Sequence, residues 1–443
     1  MSVNADTAPG IPDLTGTEAA RTAAVLRRVL WRLVPFLFLC YVVAAVDRVY
    51  IGFAKLHMLA DLGFGEAVYG LGAGLFFLGY VLFDLPSNLV LHRVGARVWI
   101  ARILITRGLV AALMPWVDTP AHFYLLRFVL GVMEAGLFPG ILYLLSQWVP
   151  LGRRAGALSV FMTANAVAGV AGGPVAGLVM QGLNGVAGWA GWQWLFMAGA
   201  LPSVLMGLMA AWRLDDRPAQ CRWLDAADRV RLQQALAADP PPLRGASGLR
   251  GVLAHPAVWR LAAVYFGFIL GFYGLSFWLP QLLRGAGVQD VMRLGALSAV
   301  PYGVAAAVMV VVSRSSDRRD ERRWHTALTG LAGALGLGLM ALAQISHADI
   351  PWMLAAASVA AAGCLSALPL FWTLPGRVLQ GREAAAGLAL VNGVGNLAGF
   401  VSPFLVGLLQ AHTGQVSAGL WCLALGQALG SALAWRAAAK TRP

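Results

Sequence analysis

Seven ionisable residues lie inside the long apolar stretches of the N-terminal half of this chain: Asp47, Arg48, Asp84, Arg102, Arg107, Arg127 and Glu134. The corresponding stretches of the C-terminal half hold essentially none. A charge inside an apolar segment of membrane length is costly and marks an ion or substrate path by default. An arginine in low dielectric grips a carboxylate through a bidentate, charge-assisted pair, so Arg48 and Arg127 suit an anionic substrate. A partly desolvated carboxyl group beside them can bind and release a proton near neutrality. Asp47 and Glu134 are the candidates. Protonation there removes negative charge that would repel the anion or occupy the arginines, which couples the two binding events. The competing reading is a set of structural ion pairs, such as Asp47 with Arg127, locking helices together. Asp84 and Arg102, beside "HRVGAR" (92–97), read as gating or structural residues, and Arg107 stays open between the two roles.

Depth follows from the helical rise of about 1.5 Å per residue. Glu134 lies about 15 Å in from the outer end of its segment, and Arg127 is two turns earlier on the same face. Asp47 and Arg48 fall in the outer half of the first segment, and Tyr80 in "FFLGYVLFDLPSN" is about 18 Å in from outside. These residues can converge on one cavity. Asp47 and Arg48 are about 100° apart around their helix and so face different partners. In the second half, Asn392 and Asn396 are one turn apart and suit either a hydroxylated or carboxylated ligand or a helix–helix contact. Trp372, Tyr273, Trp278, Gln281 and, in the first half, Asn165 are weaker candidates.

The elements that must carry these residues are legible in composition. Of 443 residues, 59% are hydrophobic and 12% charged, against roughly 25% charged in a soluble domain. Mean hydropathy is +0.70. The runs predict an all-α polytopic membrane protein with spans near 31–54, 67–91, 98–117, 122–147, 155–180, 191–212, 258–283, 295–313, 325–346, 351–374, 384–409 and 416–436. That is twelve transmembrane helices in two six-helix pseudo-symmetric bundles. The expected organisation is a mobile arm (1–26), a first bundle (27–212), a polar central loop (213–257), a second bundle (258–437) and a tail (438–443). Within the loop, "DDRPAQCRWLDAADRVRLQQAL" suits an amphipathic helix with Asp225 as N-cap. The halves echo each other: a basic turn follows the second span and another, "SRSSDRRDERRWH" (313–325), follows the eighth. Parallel repeats of this kind suit alternating access around a mid-membrane site.

The net charge of +13 does not point to nucleic acid. With both termini placed in the cytoplasm, 26 Lys and Arg fall on the inner side and 3 on the outer side, the positive-inside pattern. The four cysteines lack metal or redox spacing, the glycine-rich runs lack a GK[ST] phosphate cradle, and no Ser-His-Asp set is present, so an enzyme is not expected.

The chain resembles the major facilitator superfamily and, within it, the anion:cation symporter family, which includes permeases for tartrate, phthalate, hydroxyphenylacetate, galactonate, glucarate and hexuronates. The stretches that carry the resemblance are "DRVYIGFA", "YGLGAGLFFLGYVLFDLPSNLVLHRVGARVWIARI", "FYLLRFVLGVMEAGLFPG", "GWQWLFMAGALPSVLMG", "DRPAQCRWL", "SDRRDERRWH" and "AGLALVNGVGNLAGFVSPFLVG", between about Arg28 and Trp435. The resemblance implies proton-coupled uptake of a small organic carboxylate, with the proton as coupling ion and no cofactor or metal. It implies that Asp47 and Glu134 are protonation sites and that Arg48 engages the substrate carboxylate. Arg127, Tyr80, Trp372 and Asn392 would line or organise the pocket. Asp84 with Arg93 and Arg97, and Asp317 with Arg318, would belong to cytoplasmic gating loops. Two positions depart from the family: Tyr50 stands where Asn is usual, and Arg107 where an aromatic residue is usual. Tyr50 is therefore expected to bear on which anion is taken. The expected setting is the bacterial cytoplasmic (inner) membrane, with lipid as the surroundings and a monomer sufficient for function. An exporter or exchanger on the same fold is the alternative, ahead of a non-transporting sensor.

Overall fold

The structure is a computed structural model that describes residues 14–150, 153–154, 160–161, 163–221, 223–239, 255–375 and 384–439. In a lipid phase each backbone N–H and C=O must find a partner within its own segment, and the apolar runs accordingly form helices. In chain order these are α1 (Leu14–Leu62), α2 (Glu66–Val94), α3 (Ala96–Ala111), α4 (Pro120–Glu134), α5 (Leu137–Trp148), α6 (Ala164–Gly182) and α7 (Gly191–Arg213). The central loop carries α8 (Ala226–Ala237), where Asp225 accepts the Asp228 N–H at 2.7 Å as the expected N-cap. The second half is α9 (Pro256–Gly285), α10 (Val291–Arg318), α11 (Arg323–Ile345), α12 (Ile350–Phe371), α13 (Ala384–Thr413) and α14 (Val416–Ala439). Among the described residues, eleven helical segments are long and apolar enough to cross a membrane, with α4 and α5 together forming one of them. The glycine-rich α6 lies fifth in order and completes the twelve.

The fourth span is not the continuous helix expected over 122–147. It breaks after Glu134, where Ala135 leaves helical geometry and Gly136 turns left-handed at φ 86°. Only glycine adopts that conformation without steric cost, and a Cβ there would meet Ser87 Oγ at 2.1 Å. Ser87 donates to the freed carbonyl of Ala135 at 2.6 Å, and Trp99 donates its indole N–H to Ser87 at 2.9 Å. The break therefore presents Glu134 at the end of a half-helix.

The two halves meet through α1 with α9, α2 with α13, and α6 with α10, where Gly70 packs on Gly407 and Gly173 on Gly295. Small residues allow such close helix crossings in lipid. The described hydrogen bonds between the halves all lie at the end opposite the arginine-rich loops. Lys55 donates to Gln281, Gln281 donates to Glu66 at 3.3 Å, Arg284 donates to the Leu56 carbonyl at 3.0 Å, and the Met292 N–H donates to Gln181 at 3.2 Å. That end is closed.

Candidate functional site

α1 carries Asp47 and Arg48 on different faces, as their spacing predicts. Arg48 reaches toward α4 and pairs with Glu134, while Asp47 pairs with Arg107 of α3. Arg107 also donates its Nε to the second oxygen of Glu134 at 3.1 Å. The result is a chain of alternating charge, Arg48–Glu134–Arg107–Asp47, drawn from three helices. Arg107 is fully buried and its third nitrogen donates to Ser203 Oγ of α7 at 3.0 Å. Ser203 in turn donates to the Leu104 carbonyl at 2.9 Å, which fixes that acceptor. Asp47 has room because α7 presents Gly199, where a Cβ would lie 2.1 Å from the carboxylate oxygen. Sequence reasoning left Arg107 open. The signal was its depth in the third span, but its rotation toward both carboxylates is set by helix packing.

Arg48 also faces a cavity between the halves. Tyr41, Phe77, Tyr80 and Phe138 line its first-half wall, and Tyr265, Phe272, Tyr273 and Trp372 line the second-half wall. Asn165, Asn392 and Asn396 supply the amides. Asn396 donates to the Asn392 carbonyl at 2.9 Å and to its side-chain oxygen at 3.0 Å. The structure thus brings Arg48, Tyr80, Trp372, Asn392 and Asn396 to one cavity, with Glu134 and, through Arg107, Asp47 behind Arg48. Of the aromatic lining, Tyr41, Phe77, Phe138, Tyr265 and Phe272 were missed. Tyr41 is seven residues before Arg48, and Tyr265 and Phe272 have the same spacing on α9, so one-face periodicity was the available signal.

Two expected residues stand elsewhere. Arg127 does not line the cavity; it donates to the α2 carbonyls of Gly72 at 3.3 Å and Ala73 at 3.5 Å and lies over the Phe76 ring. A buried guanidinium must find acceptors for its N–H groups, and α2, packed against α4, supplies these carbonyls. Tyr50 is not in the lining either. It is two residues, about 200°, round the helix from Arg48 and packs near Gly199 of α7. Lys55, counted with the outer loop from sequence, is buried within the closed end. It pairs with Glu66 at 2.6 Å and sits over the Tyr69 and Trp278 rings.

The residues at the arginine-rich end stay within their own halves. Arg97 donates its backbone N–H to Asp216 at 2.8 Å and its side chain to the Ala211 carbonyl at 2.7 Å, tying α3 to the end of α7. Asp317 accepts from Arg322 at 2.5 Å, while Arg93 and Arg318 are exposed. Asp84 is half-buried with Oδ1 unpartnered among the described residues, and Arg102 lies over Trp99 and donates to the Met133 carbonyl at 3.4 Å. In the loop between α10 and α11, burial raises the Glu321 carboxyl, but hydrogen bonds from the Trp324 N–H, the His325 ring and the His325 N–H outweigh it. Glu321 is held below the usual carboxylate range.

Two bundles closed at one end around a charged, aromatic cavity describe a transporter, and the sequence matches accordingly. Residues 37–403 match the Major Facilitator Superfamily. The chain belongs to that superfamily. It is 43% identical to the putative metabolite transport protein NicT of Pseudomonas putida over 91% of this chain and 92% of that one. It is also 43% identical to a quinolone resistance transporter of Acinetobacter baumannii (94% and 95%), and 42% identical to a putative tartrate transporter of Agrobacterium vitis (91% and 88%). The fold matches a bacterial homologue of the human lysosomal transporter Spinster, solved inward-facing and occupied, with a TM-score of 0.73. The identity there is 16%, over 93% of this chain and 97% of that one. As a member of the superfamily the chain is a multi-pass membrane transport protein and not an enzyme.

Proposed function

We propose that this superfamily member takes up a small organic carboxylate in symport with protons across the bacterial inner membrane, with both termini cytoplasmic. The observation that carries the reading is the Arg48–Glu134 ion pair at the cavity wall. A substrate carboxylate must take Arg48 from Glu134, and a proton on Glu134 releases the guanidinium for it. Asp47 stands behind it, linked to Glu134 through the shared Arg107. The relative named as a tartrate transporter supports a carboxylate substrate. The 26-to-3 distribution of Lys and Arg supports the orientation, which makes the closed end periplasmic and the captured conformation inward-facing.

One observation favours a second reading, an anion exchanger on the same fold. Arg107 supplies an internal counter-charge to both carboxylates, so both can stay ionised while the anion is exchanged. Proteoliposomes with an inward proton gradient separate the two. Symport predicts accumulation of a labelled carboxylate that Glu134→Gln and Asp47→Asn abolish while leaving counterflow exchange. Unchanged accumulation in both variants contradicts the coupling roles, and a native protein that exchanges anions but shows no net accumulation under the proton gradient establishes the exchanger.

A further inference from the structure

A second cavity, of about 470 Å³, lies at the closed end and shares no lining residue with the central one. That volume is in the range of small-molecule sites. Its walls come from the second half alone: the ends of α9, α11 and α13, the turns after them, and the start of α14. His347 and Gly414 take left-handed backbone in two of those turns, at φ 51° and 72°, and fold each turn back onto its helix. The turn N–H groups of Val288, Ala348 and Gly414 occupy the carbonyls of Leu283, Ala343 and Gln410 at 3.2, 2.8 and 2.9 Å. With those helix-end acceptors spent, side chains set what the cavity offers a ligand.

Those side chains are donors. Arg284 is half-buried, gives one nitrogen to the Leu56 carbonyl at 3.0 Å, and belongs to none of the ion pairs among the described residues. Gln410 accepts the Trp278 indole N–H at 3.1 Å, and Gln415 accepts the Ser417 hydroxyl at 3.1 Å. The NH2 group of each amide is left as a donor. No acidic side chain lines the cavity, and Glu66, behind Gln281, is already paired with Lys55. A guanidinium and two amide NH2 groups match an anion with several oxygens. Two oxygens take the guanidinium fork and a further one takes an amide. A cation would be repelled by Arg284, and a neutral polyol would leave its charge uncompensated.

Two of the lining residues also join the halves. Arg284 reaches the Leu56 carbonyl of α1, and Gln281 is pinned between Lys55 of α1 and Glu66 of α2. Closure therefore fixes the long Arg284 side chain before any ligand arrives, which removes part of the ordering cost of binding. When the halves part at this end, that constraint is lost and affinity falls. By reciprocity, a ligand bound here favours the closed form by the same factor. We infer that the closed end carries a site for a small oxyanion, centred on Arg284 with the amides of Gln410 and Gln415, and that the bound anion holds this end closed. The anion concentration on that side of the membrane then sets how readily the transporter reopens there, whichever substrate passes through the central cavity.

Calorimetric titration of the full-length protein in phosphatidylcholine nanodiscs, at constant ionic strength, tests the site with inorganic phosphate, sulfate and D-glucose. Phosphate and sulfate should bind and glucose should not. Arg284→Gln should abolish that binding, Arg284→Lys should keep part of it, and Gln415→Leu, which touches no first-half residue, should weaken it about fivefold. Spin labels at positions 121 and 352, exposed at the closed-end starts of α4 and α12, test the coupling. Phosphate should raise the closed-to-open ratio about fivefold or more, read in the native protein or, if that is wholly closed, in Lys55→Met. Phosphatidylglycerol with no added anion tests the other source of the same chemistry. An Arg284-dependent rise in the closed form there keeps the site and assigns its oxyanion to a lipid headgroup. Absence of phosphate and sulfate binding, or binding that Arg284→Gln leaves intact, overturns the site. Glucose binding as tightly as phosphate overturns the anion class, and binding that leaves the distances unchanged overturns the coupling.

Discussion

At the residue scale the decisive side chain is Arg107, since both candidate proton carriers share it. Removing one partner of a buried ion network strands the others, at a cost of about 3–5 kcal/mol. Arg107→Met should therefore lower the thermal midpoint of the purified protein well below that of Arg127→Met, which loses bonds to two carbonyls and a ring contact but strands no charge. Adding Asp47→Asn to Arg107→Met should recover part of the loss, and a double variant no more stable than the single one contradicts the pairing. The sequence made Asp47 and Arg48 legible as a split pair, because a helix sets successive side chains 100° apart whatever surrounds it. It did not show that Asp47 would meet Arg107 and not Arg127. That choice depends on Gly199 opening space on α7 and on the α2 carbonyls capturing Arg127. Tyr50 shows the same limit from the other side: its type stood out, but its angle on α1 turns it from the cavity.

Among elements, the broken fourth span sets where Glu134 ends. Gly136→Ala should destabilise by at least about 1–2 kcal/mol from its left-handed backbone, with a further loss from the clash with Ser87. Ser87→Ala in the same chain should relieve the clash but not the backbone strain, and full recovery in thermal unfolding contradicts a strained break. The break was not legible, since "LLRFVLGVMEAGLFPGILYLL" reads as continuous apolar helix and its glycines as packing residues. The α8 cap, by contrast, was legible from Asp225 alone, because a cap is a local device. The loop between α10 and α11 offers a pH test. Glu321 titrates below the usual carboxylate range, so its clasp on Trp324 and His325 is intact above that range and is lost as pH falls through the depressed value. Hydrogen exchange at the Trp324 and His325 amides should speed up in that acidic window, and Glu321→Gln should produce the same increase at neutral pH. Exchange insensitive to both changes contradicts the clasp.

For the whole molecule, closure at one end rests on few polar contacts. Lys55, Glu66 and Gln281 join α1, α2 and α9 there. Gln281→Leu removes the side-chain link from Lys55 and Glu66 to α9, leaving the Arg284–Leu56 and Met292–Gln181 bonds, so spin labels at positions 181 and 292 should show a larger population of long distances. An unchanged distribution contradicts a gating role for this cluster. The two six-helix halves were legible because hydropathy repeats over long stretches; the closed end was not, because Lys55 reads as an ordinary loop charge. The account's central claim is that a substrate carboxylate replaces Glu134 on Arg48 when Glu134 is protonated. The most direct measurement is the affinity of 4-hydroxybenzoate and L-tartrate for the native protein and Glu134→Gln between pH 6 and 8. The account predicts native affinity that rises as pH falls, for whichever probe binds, and a Glu134→Gln affinity that stays high and flat. A native affinity without pH dependence, or an equal slope in the variant, contradicts it.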